Sequence, residues 1–355
     1  MISNDAQEVR MSPFLRRHPS FRTDVFGHVP FPGHPEGIAI HRNVVYVGTH
    51  QDSSGLPNVP SHLYAYNRRG EITADFTIEG QNPTGQGILG LAVDHDGIVY
   101  ILDRAPSRIL TLDPRTRKQS VYAELPGVPP GPSELPSGGS ADTPANEPPV
   151  PDDLVFAPDG TLYVTNLTQG MIWRVAPGGG SAEAWYTAPD LRSLFGPNGI
   201  RFLDHGRTLL FAQSAHELRD PSEIPNAHGL LYTLEIRRDG HPGRREIFWE
   251  GDIGETPDGF AIGCSGKIYV ALALANAILV LSPEGREITR IPATPAENDR
   301  LDVPYDLPAS VSFLGKKILV TNQAYFGGPS AHHAVLAIPV HERGRRLFRP
   351  RIRRL

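Results

Sequence analysis

The stretch Pro257-Asp258-Gly259-Phe260-Ala261-Ile262, with Lys267-Ile268-Tyr269-Val270 after a tight turn, contains the unit on which the fold is built. An acidic or small residue opens an apolar strand, a short polar turn reverses the chain, and a second apolar strand follows. Six copies of this unit occur 46 to 63 residues apart, and their first residues are Glu36, Leu89, Asp152, Asn198, Asp258 and Ala309. Strand pairs repeated at this period are typical of propeller blades. We therefore predict an all-β protein: a single six-bladed β-propeller of four-stranded blades that spans residues 1–355.

The composition agrees with a chain of many short strands and turns. The 355 residues include 36 glycines and 35 prolines, and 39% of them are hydrophobic, which is enough for a packed core. The formal net charge of −5 argues against nucleic acid as a partner. Residues 1–17 contain no apolar signal-peptide core, and no stretch reaches the roughly 18 apolar residues of a membrane span. The expectation is a soluble, cytoplasmic protein with no membrane partner, and the single cysteine excludes an internal disulfide.

The predicted connections differ in length on the two faces of the ring. In a four-stranded meander, the loops after strands one and three lie on one face and those after strands two and four lie on the other. The first set is short, whereas the second set is long and comprises residues 49–61, 123–151, 213–229, 289–308 and 322–333. Chain polarity places the first residues of the inner strands on the face with the long loops, so we expect function at that mouth. Residues 21–29 are a candidate for the outer strand of the last blade, which would close the ring.

Four of the six leading positions carry oxygen ligands: Glu36, Asp152, Asn198 and Asp258. Because the inner strands of a propeller start around one channel, three carboxylates and one amide are expected on a common axis. Converging carboxylates repel and raise one another's pKa unless a cation neutralises them. Ca²⁺ accepts carboxylate, amide and water oxygens in a loose geometry, whereas Zn²⁺ is less natural without His or Cys. The alternative is structural, because Pro257-Asp258-Gly259 and Pro197-Asn198-Gly199 are also ordinary turn tripeptides.

The same residues carry a resemblance to a known family. The runs Gly196-Pro197-Asn198-Gly199-Ile200 and Thr256-Pro257-Asp258-Gly259-Phe260 resemble the gluconolactonase, regucalcin and senescence-marker-protein superfamily. Pro35-Glu36-Gly37 and Pro151-Asp152-Asp153 match its two remaining ligand positions. The resemblance implies one catalytic divalent metal in the channel, Ca²⁺ first, with Zn²⁺, Mg²⁺ or Mn²⁺ as alternatives. It implies Glu36, Asn198 and Asp258 as direct ligands and Asp152 as a further ligand or the catalytic base.

The activity that the resemblance implies is the hydrolysis of lactones. We interpret the protein as a metal-dependent, lactonase-like hydrolase of a small-molecule substrate. In this mechanism the cation polarises an ester carbonyl, and Asp152 takes a proton from the attacking water. Two alternatives stay open. One is a non-hydrolytic cyclase or isomerase of specialised metabolism, similar to strictosidine-synthase-like propellers, and the other is a binding propeller with a structural Ca²⁺.

Two segments depart from the repeat. Residues 125–151 are rich in Pro, Gly and Ser, and we predict that they form a mobile flap over the mouth, with a disordered surface loop as the alternative. Residues 341–355 carry seven Arg and one Glu, although the chain as a whole is acidic. For this basic segment we favour a solvated edge strand decorated with arginine. The alternative is a tail that binds an anionic partner.

Weaker signals surround the predicted mouth. Gly85-Gln86-Gly87-Ile88-Leu89-Gly90 matches a dinucleotide fingerprint, but it leads into a strand rather than a helix, so we interpret it as a backbone turn. Seven histidines fall on or beside the long loops: His34, His50, His62, His216, His228, His332 and His333. The pair His332-His333 is a candidate for a base or a second metal site, with ordinary loop histidines as the alternative. Tyr325 and Phe326 either line an apolar substrate wall or pack the loop onto the ring.

Overall fold

A computed structural model describes residues 21–51, 59–127 and 148–352. These residues form 24 strands, numbered here in chain order. Strand β1 (Asp24–His28) precedes the first blade, and blade 1 comprises β2 (Pro35–His41), β3 (Val44–Thr49), β4 (His62–Tyr66) and β5 (Ile72–Thr77). Blade 2 comprises β6 (Ile88–Val93), β7 (Val99–Asp103), β8 (Arg108–Leu112) and β9 (Gln119–Glu124). Blade 3 comprises β10 (Pro151–Phe156), β11 (Leu162–Asn166), β12 (Met171–Val175) and β13 (Gly180–Thr187).

The second half of the chain repeats the arrangement. Blade 4 comprises β14 (Pro197–Phe202), β15 (Thr208–Gln213), β16 (Leu230–Ile236) and β17 (Pro242–Glu250). Blade 5 comprises β18 (Pro257–Ile262), β19 (Ile268–Leu272), β20 (Ala277–Leu281) and β21 (Glu287–Ile291). Blade 6 is built on β22 (Pro308–Leu314), β23 (Lys317–Asn322) and β24 (Ala334–Pro339). The fold is therefore an all-β propeller of six four-stranded blades, as the repeat predicts.

The ring closes through the N-terminal strand. Strand β1 pairs antiparallel with β24, so that Asp24 lies opposite Ala337 and His28 opposite Ala334. It supplies the fourth, outer strand of blade 6, in the order β1-β24-β23-β22. The inner strands β2, β6, β10, β14, β18 and β22 each contact the next, and β22 contacts β2. The prediction that residues 21–29 close the ring is confirmed.

The outer strands are more regular than the sequence suggests. Each blade has a complete fourth strand, although its apolar pattern is weak because the outer strand is largely exposed, as in β17. The outer strands of blades 2 and 3 also pair with each other in parallel, through Gly180 opposite Ala123 and Ser181 opposite Glu124. These two blades therefore form one eight-stranded sheet.

The core lies between neighbouring blades. Side chains from facing sheets form a separate apolar cluster at each blade interface, as between blades 2 and 3, where Trp173, Tyr100 and Phe156 are buried. The indole of Trp173 also donates a 3.0 Å hydrogen bond to the Pro126 carbonyl. Because the stability of the ring comes from these interfaces, the channel mouth is free to carry polar groups.

Helices are few and short. The α-helix α1 (Pro295–Asn298) is capped by Thr294, and three 3₁₀ helices span Pro189–Leu191, Pro221–Asn226 and Ser330–His332. In the described part of the chain, no helix is long and apolar enough to cross a membrane. Most of the predicted flap, residues 128–147, lies outside the described residues. Its two ends are held on blade 3, since Pro126 contacts Trp173 and the Pro148 carbonyl accepts a 2.9 Å hydrogen bond from Thr168.

The prediction of an edge strand for the basic C-terminal segment was wrong. Residues 341–352 do not form an edge strand: their only ladder contact among the described residues is an isolated bridge between Gly344 and Gly263. The segment instead crosses the face of the ring opposite the long loops. Its apolar residues leave solvent there, since Ile352 is buried and Phe348 packs on Phe202 at 5.7 Å between ring centroids. Two or three apolar residues among arginines indicate that one side of the segment is buried, but they do not distinguish a strand from an irregular segment. Residues 341–352 are called the strap below.

Candidate metal centre

All six inner strands contain the same irregularity at the start. In each blade, the register between the first and second strands shifts after the first residue, for example between Pro257 and Phe260 and between Pro35 and Ile38. A β-bulge bends its strand and redirects side chains. The four predicted ligands all lie inside these bulges. The sixfold repeat of the bulge therefore places Glu36, Asp152 and Asp258 at one level of the ring.

A glycine follows three of the four predicted ligands, Glu36, Asn198 and Asp258, and lets adjacent inner strands approach. A Cβ atom at Gly199 would lie 2.6 Å from the carbonyl oxygen of Asp258, and one at Gly37 would lie 2.1 Å from that of Leu89. No side chain fits at such distances. The tripeptides Pro197-Asn198-Gly199 and Pro257-Asp258-Gly259 are thus strand bulges and not free turns. Each needs its glycine because the backbone of the next blade lies too close for a side chain.

Buried hydroxyl groups hold the bulges in place. Thr165 donates a 2.7 Å hydrogen bond to the Asn198 carbonyl and accepts one of 3.0 Å from the Asp153 amide. Thr321 donates at 2.8 Å to the Glu36 carbonyl. Each hydroxyl links one blade to the ligand-bearing bulge of the next. Sequence reasoning missed these residues, although the repeated pairs Thr165-Asn166 and Thr321-Asn322 at the ends of two second strands were a usable signal.

Replacing Thr165 by valine is expected to lower the free energy of unfolding by about 1–3 kcal/mol, because a buried carbonyl and a buried amide both lose their partner. Urea denaturation of the purified protein measures the change. Thr233→Val is the matched control, since the Thr233 hydroxyl is exposed and makes only a long 3.5 Å contact. Equal stability losses in the two variants would contradict the role given to Thr165.

The carboxylates at the mouth are buried and repel one another. Glu36 and Asp152 are 5% and 6% exposed. Burial raises the pKa of Glu36 well above its ordinary value, and the charges of Asp258 and Asp152 raise this pKa further. Burial likewise raises the pKa of Asp152, with the charge of Asp258 as the next cause. Gln323 donates a hydrogen bond to Glu36 and partly offsets the effect on that residue.

Asp258 completes the group. Its removal from water raises its pKa to about 7, and hydrogen bonds from the Gly259 amide and the Asn198 side chain act in the opposite direction. The hydrogen bond from Gly259 is 2.8 Å long. Because the amide group of Asn198 donates to Asp258, the amide oxygen of Asn198 remains for a ligand. The structure thus brings the four predicted residues into one electrostatically coupled set.

The donor set fits a hard divalent cation. Three mutually repelling, desolvated carboxylates and an amide oxygen match the oxygen chemistry of Ca²⁺. The side chains do not form a ready-made cage, since nowhere in the described ranges do three or more His, Cys, Asp or Glu side chains form a group able to hold a metal by themselves. The amide oxygen of Asn198 would be needed to complete the donor set. Gln323 and Asn198, which now hydrogen-bond to Glu36 and Asp258, hold these carboxylates at their present positions.

Asp153, next to the predicted base, has a different role. Its carboxylate accepts hydrogen bonds from the amides of Leu154 at 2.8 Å and Ile200 at 3.0 Å, and it forms a buried ion pair with Arg201. It therefore connects blade 3 to blade 4 and is already neutralised. Its negative charge still acts on the mouth, where it raises the pKa of Asp152. Nothing in the sequence indicated this pair, because its partners lie 48 residues apart.

Three of the seven loop histidines meet beside Glu36. The rings of His34 and His333 are 4.2 Å apart, and Tyr325 contacts His50 with 5.0 Å between ring centroids. His34 Nδ1 lies 3.0 Å from the carbonyl of Gln323, the residue that donates to Glu36. Burial lowers the pKa of His50 well below its ordinary value, as do the charges of Arg104 and His34, so its imidazole is neutral.

The remaining histidines lie elsewhere. His332 pairs with Asp306 at 2.8 Å, so the adjacent pair His332-His333 does not act as one unit. His62 pairs with Asp75 at 2.6 Å. His216 and His228 contact each other, with ring centroids 5.8 Å apart. The position of a histidine on a mouth-side loop therefore did not predict whether it lies beside the carboxylates, because the loops leave the ring in different directions.

An aromatic contact crosses the mouth. Phe326, in the loop of blade 6, lies 6.5 Å from the ring of Phe195, which precedes the inner strand of blade 4, two blades away around the ring. Tyr325 packs against Phe326 at 5.3 Å. Phe326 remains 55% exposed. Tyr325 thus packs the loop onto the ring, as one of the two alternatives predicts. The apolar substrate wall stays a prediction, for which Phe326 offers an exposed apolar surface.

The fold and the carboxylate ring define a class of protein, the six-bladed β-propellers with an oxygen-rich centre in the channel. Residues 153–318, just under half of the chain, match the family described as SMP-30/gluconolactonase/LRE-like region. The matched region contains Asn198 and Asp258 with their glycines. The match confirms the resemblance to the gluconolactonase and regucalcin superfamily. No curated protein sequence matches the chain.

Solved structures extend the likeness to the whole ring. Regucalcin from Agrobacterium tumefaciens, a calcium-binding protein, is 19% identical, with a TM-score of 0.62 over 94% of this chain and 98% of that one. A gluconolactonase from Xanthomonas campestris is 16% identical, with a TM-score of 0.57 over 90% and 89%. Virginiamycin B lyase from Staphylococcus aureus, solved with quinupristin as a catalytically inactive histidine-to-alanine variant, is 15% identical, with a TM-score of 0.55 over 90% and 99%. At these identities the likeness is one of fold.

Proposed function

We propose that this protein is a metal-dependent hydrolase that opens a lactone or a related ester. The observation that carries the proposal is the set of oxygen side chains at the channel mouth: the buried Glu36, Asp152 and Asn198 and the partly buried Asp258. Carboxylates buried at one site without counter-charges are costly to a fold that needs only packed blades, so they indicate a functional role. The family match over residues 153–318 and the fold shared with a gluconolactonase support the choice of reaction.

Glu36, Asn198 and Asp258 would hold the cation, and Asp152 would act as general base. When bound, a divalent cation would supply Lewis-acid polarisation of the ester carbonyl. Burial and the charge of Asp258 raise the pKa of Asp152, and this makes its carboxylate a better proton acceptor than an ordinary aspartate. Gln323 would keep Glu36 oriented, and Thr165 would keep the backbone of Asn198 in position.

The mouth favours a substrate with an apolar portion. Phe326 and Phe195 form an aromatic contact between the mouth-side segments of blades 6 and 4, and Tyr325 adds an aromatic edge beside His50. An ester carbonyl directed towards the carboxylate ring would leave the rest of the substrate against these rings. We therefore propose an aliphatic or aromatic lactone in preference to a fully hydroxylated sugar lactone.

A panel of lactones tests the proposal. The protein is stripped with chelator, and hydrolysis of alkyl-substituted and sugar lactones is followed by pH-stat with and without Ca²⁺, Mg²⁺, Mn²⁺ or Zn²⁺. We expect turnover that requires one of these ions and is faster for the alkyl lactones. Turnover unaffected by complete removal of metal would refute the metal-dependent part. Metal binding without turnover of any lactone would refute hydrolysis.

The histidine cluster favours one alternative, a lyase that uses the same mouth. His34, His50 and His333 are buried next to Glu36, and His50 is neutral because burial and the charges of Arg104 and His34 lower its pKa. A histidine replacement inactivates the virginiamycin B lyase that shares the fold. The two functions differ in their product. A lyase converts an ester to an alkene and an acid without incorporating oxygen from ¹⁸O-labelled water, whereas a hydrolase incorporates one labelled oxygen atom.

A further inference from the structure

The C-terminal strap, residues 341–352, closes the channel on the face opposite the carboxylates. It runs across blade 5, where the Cys264 amide donates to the Arg343 carbonyl at 2.8 Å. It reaches blade 4, where the Arg345 side chain donates to the Leu203 carbonyl, and blade 1, where the Arg349 side chain donates to the Ile40 carbonyl. The strap thus touches blades on opposite sides of the ring and spans the channel opening.

A cavity of about 1430 Å³ lies between the strap and the inner strands. Its walls are apolar residues of the inner strands, among them Ile38, Leu91, Leu154 and Val311. Each of these wall residues lies in an inner strand just below the level of the carboxylate ring. The cavity is therefore a partly open chamber with apolar walls, which lies between the inner strands and the strap.

The rim of this chamber is strongly cationic. Six arginines line the chamber, and five of them form the rim: Arg42, Arg343, Arg345, Arg346 and Arg349. Within residues 21–51, 59–127 and 148–352, none of the five forms an ion pair with a carboxylate. A sixth lining arginine, Arg201, differs because it is paired with Asp153.

The acidic residues near the rim contact groups other than the rim arginines. Asp204, which lines the cavity, uses both carboxylate oxygens within its own turn, with hydrogen bonds of 2.7 Å from the Arg207 amide and 2.8 Å from the Thr208 hydroxyl. Asp96 lies 3.1 Å from His95. Glu342 accepts hydrogen bonds from Tyr269 and the Ser265 amide. These carboxylates are all engaged by other groups.

The cationic groups are close enough to repel one another. Burial lowers the pKa of Arg349, and the charge of Arg346 lowers it further. Burial also lowers the pKa of His41, with the charges of Arg349 and Arg42 as the next causes. Arg345 and Arg349 are partly buried without a counter-charge, which is costly, whereas Arg42, Arg343 and Arg346 are exposed at the rim. The cluster is therefore accessible to an anion that the described residues do not themselves provide.

We propose that this chamber binds an amphipathic small-molecule anion, with a phosphate or carboxylate head group at the arginine rim and an apolar body against the inner strands. The arginines are suited to the head group because guanidinium groups bind planar and tetrahedral oxyanions through two parallel N–H donors. The apolar walls are suited to the body. The position inside the ring favours a small molecule over nucleic acid. The site is independent of the function proposed for the mouth.

Isothermal titration calorimetry with hexyl phosphate, inorganic phosphate and 1-hexanol tests this site. We expect hexyl phosphate to bind more tightly than either of the other two probes, because only it has both the charge and the apolar chain. Arg346→Gln is expected to weaken hexyl phosphate binding about tenfold, since one charge-assisted contact is lost. Arg346 is exposed and forms no ion pair or hydrogen bond with the described part of the chain, so this variant should fold. Arg349→Gln is the second variant, with folding checked by circular dichroism.

Arg351→Gln is the matched control, because Arg351 lies on the same strap and carries the same charge but does not line the cavity. We expect it to bind hexyl phosphate like the unchanged protein. Equal losses in Arg346→Gln and Arg351→Gln would overturn the site in favour of unspecific charge attraction. No binding of hexyl phosphate, or equally tight binding of 1-hexanol, would also overturn it. Equal affinity for inorganic phosphate would overturn the role of the apolar walls.

Discussion

Replacing Asp258 by alanine is expected to abolish metal binding and lactone hydrolysis while the ring stays folded. Loss of an outer partner of a metal ligand costs about 10–100-fold in metal affinity, so loss of a direct ligand should exceed 100-fold. The ring should tolerate the change because the sixth copy of the repeat already has alanine, Ala309, at the same position of the same bulge. Removal of one of three repelling carboxylates should leave the metal-free variant at least as stable as the metal-free parent.

Calorimetric titration with Ca²⁺ and thermal unfolding with and without chelator measure both parts of this prediction. Asp159→Ala is the matched control, because Asp159 is an exposed turn residue on the opposite face that caps the Thr161 amide at 2.9 Å. We expect the control to bind metal normally. Retention of Ca²⁺ affinity by the Asp258 variant would show that the cation, if any, lies elsewhere.

Replacing Asp152 by asparagine is expected to lower turnover by about 10²–10⁴-fold, the usual contribution of a general base. Metal affinity should change far less, because asparagine keeps an oxygen at the same place. Steady-state kinetics and metal titration of the same preparation separate the two effects. Near-normal turnover would assign the base to another group, and the buried cluster of His34, His50 and His333 is the next candidate.

Asp153→Asn provides the comparison for this variant. Asp153 is the adjacent residue and is equally buried, but its carboxylate is paired with Arg201 and two backbone amides. We expect Asp153→Asn to lower the unfolding temperature, because it leaves a buried cation without its partner. The folded fraction of this variant should keep most of its turnover. If Asp153→Asn instead lost most of its turnover with an unchanged unfolding temperature, Asp153 would be the general base and Asp152 the structural residue.

The inner strands were predictable because their information is local. An apolar strand, a short polar turn and a second apolar strand recur at each blade, and the predicted start at Asp258 differs from the observed β18 (Pro257–Ile262) by one residue. The ligand positions followed from the same repeat, since equivalent positions of equivalent strands must lie at one level of the ring. The outer strands were harder to predict, because an exposed edge needs little apolar pattern.

The rest depended on contacts between distant parts of the chain. Gln323 reaches Glu36 across 287 residues, and Arg201 reaches Asp153 across 48. No local pattern indicates which polar side chains will meet after the ring closes. The same limit explains the C-terminal segment, whose arginines indicated a solvated edge strand although Phe348 and Ile352 dock on other blades.

By itself, then, the sequence determined the number of blades, the inner strands and the four residues at the mouth, because strand periodicity and turn chemistry act over a few residues. Only the tertiary structure decided which histidines lie beside the carboxylates and that Asp153, unlike Asp152, is paired with Arg201. It also decided that the basic strap lies across a cavity. These features arise when ring closure brings blades 1 and 6 together and lays the strap across the channel, and the free energy of such long-range contacts has no signature in any single stretch of sequence.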